Sequence, residues 1–207
     1  MSVITGVEAT KTMVSVYADG TLLFRVRRAH FEKCPLREGE NVDPEEYAAR
    51  LSSVQFADAY EAALTLLECS DRTAKSLGDA LRRRGYAAPA ADAVIARLRE
   101  NRLLDDARYA ERMAELQSKK PVGVYAFRRK LKSRGVSEAD AEAALEAFDG
   151  EQQREACLEA ARRLYKKYEA LPPREGKARL SQALARRGFG WDAVESAVEQ
   201  LTGDYSD

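Results

Sequence analysis

The sequence has little of what metal, redox or acyl-transfer chemistry requires. Its three cysteines, Cys34, Cys69 and Cys157, are odd in number and far apart, which fits reduced or incidental thiols better than disulfides or a zinc site. His30 is the only histidine. No P-loop, HExxH, CxxC or GxSxG pattern occurs, so nucleotide hydrolysis, metal hydrolysis and serine-type acyl transfer all lack their usual parts. No apolar run approaches the roughly 18 residues that span a bilayer, and the N-terminus lacks the basic start and apolar stretch of a secretory signal. The expectation is a cytoplasmic chain with no membrane contact, no metal and no cofactor. Net charge is absent too: Lys+Arg at 34 balances Asp+Glu at 34. Global charge therefore marks neither a DNA-coating protein nor an acidic one, and any charge signal is local.

What is present is ample material for a core, 45% hydrophobic over 207 residues. Residues 1–53 differ from the rest. Val14 and Val16, then Leu22, Phe24 and Val26, alternate with more polar residues as half-buried strands do. A two-residue turn at Asp19-Gly20 pairs Val14 with Arg25 and splits the apolar face. A three-residue loop, Ala18-Asp19-Gly20, pairs Val16 with Leu22 and Val14 with Phe24, and is the preferred register. Residues 1–7 add a candidate strand, and Asp43-Pro44-Glu45 reads as the start of a short helix reaching about Leu51.

Beyond Ser53, alanine, leucine, glutamate and arginine recur at helical spacing. One hexapeptide appears three times: LRRRGY at Leu81–Tyr86, LKSRGV at Leu131–Val136 and LARRGF at Leu184–Phe189. Gly85, Gly135 and Gly188 are 50 and 53 residues apart, a period typical of helical repeats. Apolar residues recur at fixed offsets on both sides, so two helices flank each glycine. The remaining length leaves room for a third helix per copy, near 56–68, 106–118 and 152–169. Each unit becomes a three-helix bundle that buries more when packed against neighbours. The expected fold is mainly α: three tandem three-helix repeats in an elongated array, with a small N-terminal β-hairpin-containing segment. Its divisions are residues 1–53, 54–101, 102–150 and 151–203, with a tail at 204–207. Tandem units that bury their faces against one another favour a monomer.

As local structure, the hexapeptide is a helix stop. With glycine in the left-handed cap position, Leu81 meets Tyr86, Leu131 meets Val136 and Leu184 meets Phe189, the hydrophobic contact of a Schellman motif. Cations in the last turn face the negative end of the helix dipole. The basic residues remain open to a second use. Lys119, Lys120, Arg128, Arg129, Lys130, Lys132 and Arg134 form a run with no Asp or Glu, followed directly by the acidic stretch from Glu138 to Glu151. With Val124, Phe127 and Leu131 as the apolar stripe, Tyr125, Arg129 and Lys132 share another, exposed face. A tyrosine among cations suits a polyanion or an acidic, partly apolar protein groove; the alternative is a solvated face neutralised by the acidic helix next door. Asp105 and Asp106 read as helix N-cap and first turn, not as paired catalytic carboxylates. His30 reads as a surface or packing residue, and Trp191 as an inward-packed residue at the start of the last helix.

Three stretches in order, Leu103-Leu104-Asp105-Asp106-Ala107-Arg108-Tyr109-Ala110, Lys120-Pro121-Val122-Gly123 and Leu131-Lys132-Ser133-Arg134-Gly135-Val136, resemble the central repeat of RecX regulatory proteins. The helical pattern extends that resemblance over about residues 54–201. It implies a non-enzymatic regulator that binds the RecA recombinase filament on single-stranded DNA and modulates it, usually by inhibition, in DNA repair and recombination. On this reading, basic faces around Arg82, Arg83 and Arg84, around Arg128 to Arg134, and around Arg186 and Arg187 meet acidic protein surface or DNA phosphate. Bridging adjacent subunits then blocks strand exchange or ATP turnover. Asp105, Asp106, Tyr109, Gly123 and the three repeated glycines are its structural motif. Two departures stand out. Members often carry an acidic residue where this chain has Lys130, and the strand-rich segment to about Arg50 lies outside the best-matched part. The alternative is a helical protein that contacts DNA directly, without the recombinase.

Overall fold

The computed structural model describes residues 1–118 and 120–203. The expected tail at 204–207 lies outside them. The chain forms two compact units, residues 1–105 and 106–207.

The first unit opens with β1 (Ser2–Ala9), β2 (Met13–Ala18) and β3 (Thr21–Arg27), then α1 (Arg28–Phe31) and β4 (Asn41–Val42), in an antiparallel sheet of order β3-β2-β1-β4. The hairpin corrects the expected register. Its turn is the two-residue one, with Asp19 at φ 50° and Gly20 at φ 74°, the mirror-image turn whose twist matches that of the strands. Tyr17 pairs with Leu22 and Val16 with Phe24, which leaves Leu23 as a bulge. That extra residue shifts the register by one, so Val14 meets Val26 and not Arg25. The apolar face is thus kept by a bulge, where a longer loop was expected to keep it.

The helix that starts at Asp43 does not end near Leu51. Asp43 caps it, its Oδ1 accepting from the Glu45 and Glu46 amides, and α2 then runs unbroken over Pro44–Cys69. No glycine or proline interrupts Glu45 to Cys69, and the buried residues Tyr47, Leu51, Gln55, Ala59, Ala63 and Leu66 fall at helical spacing along one stripe. Tyr47 and Leu51 pack with Ile4, Val14, Val16 and Val26 of the sheet. Ala59, Ala63 and Leu66 pack with α3 (Ala74–Arg83) and α4 (Ala88–Glu100). One helix therefore serves the sheet core and the first helical core.

The second unit contains α5 (Asp106–Ser118), α6 (Val124–Ser133) and α7 (Glu138–Leu145), then α8 (Gly150–Tyr165), α9 (Pro173–Arg186) and α10 (Trp191–Thr202). Tyr109, Ala110, Ala114, Phe127, Leu131 and Ala141 build one core. Cys157, Ala161, Leu180, Leu184, Val194 and Val198 build the other. Burial pushes the Cys157 thiol up to about 11, which keeps it protonated and unreactive at neutral pH. Among the described residues, no helix is long and apolar enough to cross a membrane.

Candidate partner-binding surface

All three hexapeptides fold as the Schellman motif that their spacing implies. Gly85, Gly135 and Gly188 take φ of 87°, 82° and 84°. The amides of Tyr86, Val136 and Phe189 donate back to the carbonyls of Leu81, Leu131 and Leu184 at 3.3, 3.2 and 3.4 Å. The leucines and the residues after the glycines are buried, so each turn lays its polar part outward. At the start of α5, Asp106 lies in the first turn and Asp105 immediately before it, the placement expected of a helix start. Tyr109 is buried, and its hydroxyl accepts from Arg134 Nη1 at 2.7 Å. Arg134 is thereby engaged within its own bundle.

The cations divide into two groups. Arg82 bonds Asp79 at 3.0 Å and approaches Asp92 at 3.4 Å. Arg128 pairs with Glu138 and Glu142, and Lys132 with Glu138. These carboxylates belong to α7, so the acidic helix next door does neutralise part of the basic face. The Glu138 carboxyl is held below the usual range by hydrogen bonds from Lys132 and Arg128. In contrast, Arg83, Arg84, Lys120, Arg129, Lys130, Arg186 and Arg187 are exposed and make no ion pair among the described residues. Lys119 lies outside the described residues.

The second unit brings two of the expected regions together. Gly123, the residue before α6, packs directly on the third hexapeptide: a Cβ added to it would overlap the Gly188 backbone, and one added to Gly188 would overlap Ala126. The amides of Gly123 and Tyr125 donate to the carbonyls of Arg187 and Gly188 at 3.3 and 3.0 Å. Gln153 completes the cap, its Oε1 accepting from the Val124 amide at 3.1 Å. Unpaired donors of a helix start thus meet unpaired acceptors of a helix end. Sequence reading kept Gly123 only as part of a family motif, and gave no sign of its contact with a residue so distant in the chain.

Trp191 corrects a third expectation. It does open α10, but its side chain is 66% exposed. Side chains on a helix tilt toward its N-terminus, so the first residue reaches past the core that Val194 and Val198 fill. Tyr125, 50% exposed, lies beside the same turn, its ring 3.6 Å from where a Cβ on Gly190 would sit.

In the first unit, the Gly85 turn abuts the sheet, with Met13 Cε 2.6 Å from where a Cβ would lie. Gln55 Nε2 donates to the Gly85 carbonyl and Gln55 Oε1 accepts from the Ala87 amide, at 3.2 and 2.7 Å. Beside it, Asp58 accepts from Arg27 at 2.6 Å and from the Tyr86 hydroxyl at 2.7 Å, with Nε2 of buried His30 at 3.2 Å. Burial, then the hydrogen bond to Asp58, pushes the Tyr86 hydroxyl up to about 12. Arg84 lines an open recess of about 540 Å³ with Met13, Arg27, Asp58 and Tyr86. His30 is thus a packing residue of this network.

Three family models match the chain in order: the first three-helix domain of RecX over residues 59–98, the second over 105–145 and the third over 151–198. Regulatory protein RecX of Levilactobacillus brevis is 31% identical over 97% of this chain and 77% of its own length. That of Streptococcus mutans is 26% identical over 96% and 76%. A crystal structure of regulatory protein RecX superposes with a TM-score of 0.66 at 26% identity, covering 95% of this chain and 98% of the other. RecX from Lactobacillus salivarius gives 0.63 at 25% identity, covering 72% and 97%. Matched in all three helical domains and over nearly its full length, the chain belongs to the RecX family of regulatory proteins.

Proposed function

We propose that this protein binds the RecA recombinase filament on single-stranded DNA and inhibits its ATPase and strand-exchange activities, acting as a monomeric, cytoplasmic regulator without chemistry of its own. Family membership supports the regulatory role. The observation that carries the mode of action is the division among the cations. Arg128 and Lys132 are neutralised within their own bundle, whereas Arg83, Arg186 and Arg187 in two of the repeated turns, and Arg129 and Lys130 on α6, stand exposed without carboxylate partners among the described residues. Exposed cations already paired add little to association, while unpaired ones supply both steering and contact with an acidic surface. The first and third hexapeptides then present the same kind of basic turn twice, which fits a partner built from repeated subunits.

The division dictates the variants. Reversal of Arg129 and Lys130 to glutamate weakens inhibition of the recombinase ATPase and leaves the helical fold intact. Neutralising Arg128 with glutamine loosens its bundle and changes inhibition less. Equal inhibition by the Arg129→Glu/Lys130→Glu variant and the unaltered protein would remove this surface from the mechanism.

A further inference from the structure

Tyr125 and Trp191, the large exposed aromatic side chains of the second unit, flank its last glycine turn. Trp191 is the chain's only tryptophan, and it follows the glycine against which the Tyr125 ring lies. Arg129 is one helical turn beyond Tyr125 on the same face of α6. Arg186 and Arg187 belong to the turn itself, and the Arg187 carbonyl receives the Gly123 amide. The three guanidinium groups are exposed and unpaired among the described residues. Asp192, next to Trp191, is the carboxylate nearest in sequence and leaves the cluster net positive.

We propose that Tyr125 and Trp191, flanked by Arg129, Arg186 and Arg187, form a stacking site for the bases of a single-stranded nucleic acid. The apolar side chains around this turn, Leu184, Phe189, Val194 and Val198, are buried. What the surface offers is therefore two aromatic rings among cations, not the aliphatic groove that a partner helix fills. Rings bind bases of any sequence through their π faces, and guanidinium groups add phosphate contacts. A duplex hides its base faces, so this chemistry selects a single strand. The site exists only because the start of α6 docks on the third hexapeptide. It goes beyond the filament reading, since it concerns the chain's own contact with nucleic acid and asks nothing of the recombinase.

Trp191, being the sole indole, is its own reporter. A short oligo-dT strand added to the full chain at low salt quenches its fluorescence, and added salt reverses the effect. Tyr125→Ala weakens the interaction about ten-fold or more, and Arg129→Gln weakens it and flattens the salt dependence. Both side chains are exposed, so each variant keeps its fold, checked by far-UV circular dichroism. Unchanged affinity in Tyr125→Ala overturns the site. Quenching by a duplex or by polyglutamate as strong as that by oligo-dT also overturns it, the latter marking the turn as a contact for an acidic protein. Intact oligo-dT quenching with no effect on recombinase ATPase would contradict the proposed function and leave this site standing.

Discussion

Gly123 and Gly188 hold two backbones closer than any side chain allows. Gly123→Ala would drive a methyl group into the Gly188 backbone, a rigid neighbour, and should destabilise the second unit by about 2–3 kcal/mol. Gly150→Ala, with nothing near its added Cβ, should be neutral or stabilising by about 0.5 kcal/mol. Equal urea midpoints for the two variants would refute the close approach. The left-handed glycines were legible because a cap is written within six residues. Gly123 was not, because its requirement comes from a turn 65 positions away. His30 makes a second residue-scale prediction. Burial lowers its affinity for a proton, Asp58 pulls the other way, and Arg27 and Lys33 add to the lowering. Its Nδ1 has no hydrogen-bond partner among the described residues, so a proton placed there is unsatisfied. The unfolded chain, titrating near about 6.5, takes that proton more readily, so the contribution is intact above that pH and lost as pH falls below it. Burial would raise the Asp58 carboxyl, but Tyr86, Arg27 and His30 outweigh it and hold it below the usual range; that stability is lost at still lower pH. His30→Gln, neutral throughout, should flatten the dependence as pH falls below about 6.5. An identical slope in the variant would exclude His30 as the titrating group.

At the scale of elements, the uninterrupted α2 is the feature that sequence reading divided. The shift in composition near Ser53 is real, since the buried stripe of α2 leaves the sheet core after Leu51 and joins the first helical core from Ala59. However, a change of tertiary partner needs no break in hydrogen bonding: the stripe from Tyr47 to Leu66 simply passes from the sheet core to the first helical core. Ser53 is exposed in mid-helix, so Ser53→Pro tests the backbone alone. It should destabilise the first unit by about 3 kcal/mol or more. A tolerated proline would mean that the two segments are separable. The hairpin shows a related limit. Alternation identified its strands, but pairing depended on the bulge at Leu23, whose signature in one sequence is only a leucine out of phase. Charge segregation between adjacent helices was plain in the sequence. Which cations it silences, Arg128 and Lys132 but not Arg129, followed only from the packing of α6 against α7.

For the molecule as a whole, the balanced charge conceals a local arrangement. Carboxylates are spent on some cations and not on others: among the described residues, Arg83 and Arg84 of the first hexapeptide and Arg186 and Arg187 of the third make no ion pair, whereas Lys132 and Arg134 of the second are engaged and the unpaired Arg129 and Lys130 precede it. The hexapeptide is a helix stop in all three domains, and in the first and third it also carries exposed guanidinium groups that make no ion pair among the described residues. The family was legible from three short stretches, while Trp191 had to be found in the structure, because a tryptophan at a helix start reads as core until its direction is known. The most direct measurement is DNA-dependent ATP hydrolysis by the RecA recombinase from the same source, titrated with this protein well below one copy per recombinase subunit. The account predicts strong inhibition at those ratios, relieved by Arg129→Glu/Lys130→Glu. No inhibition even at equal concentrations would contradict it.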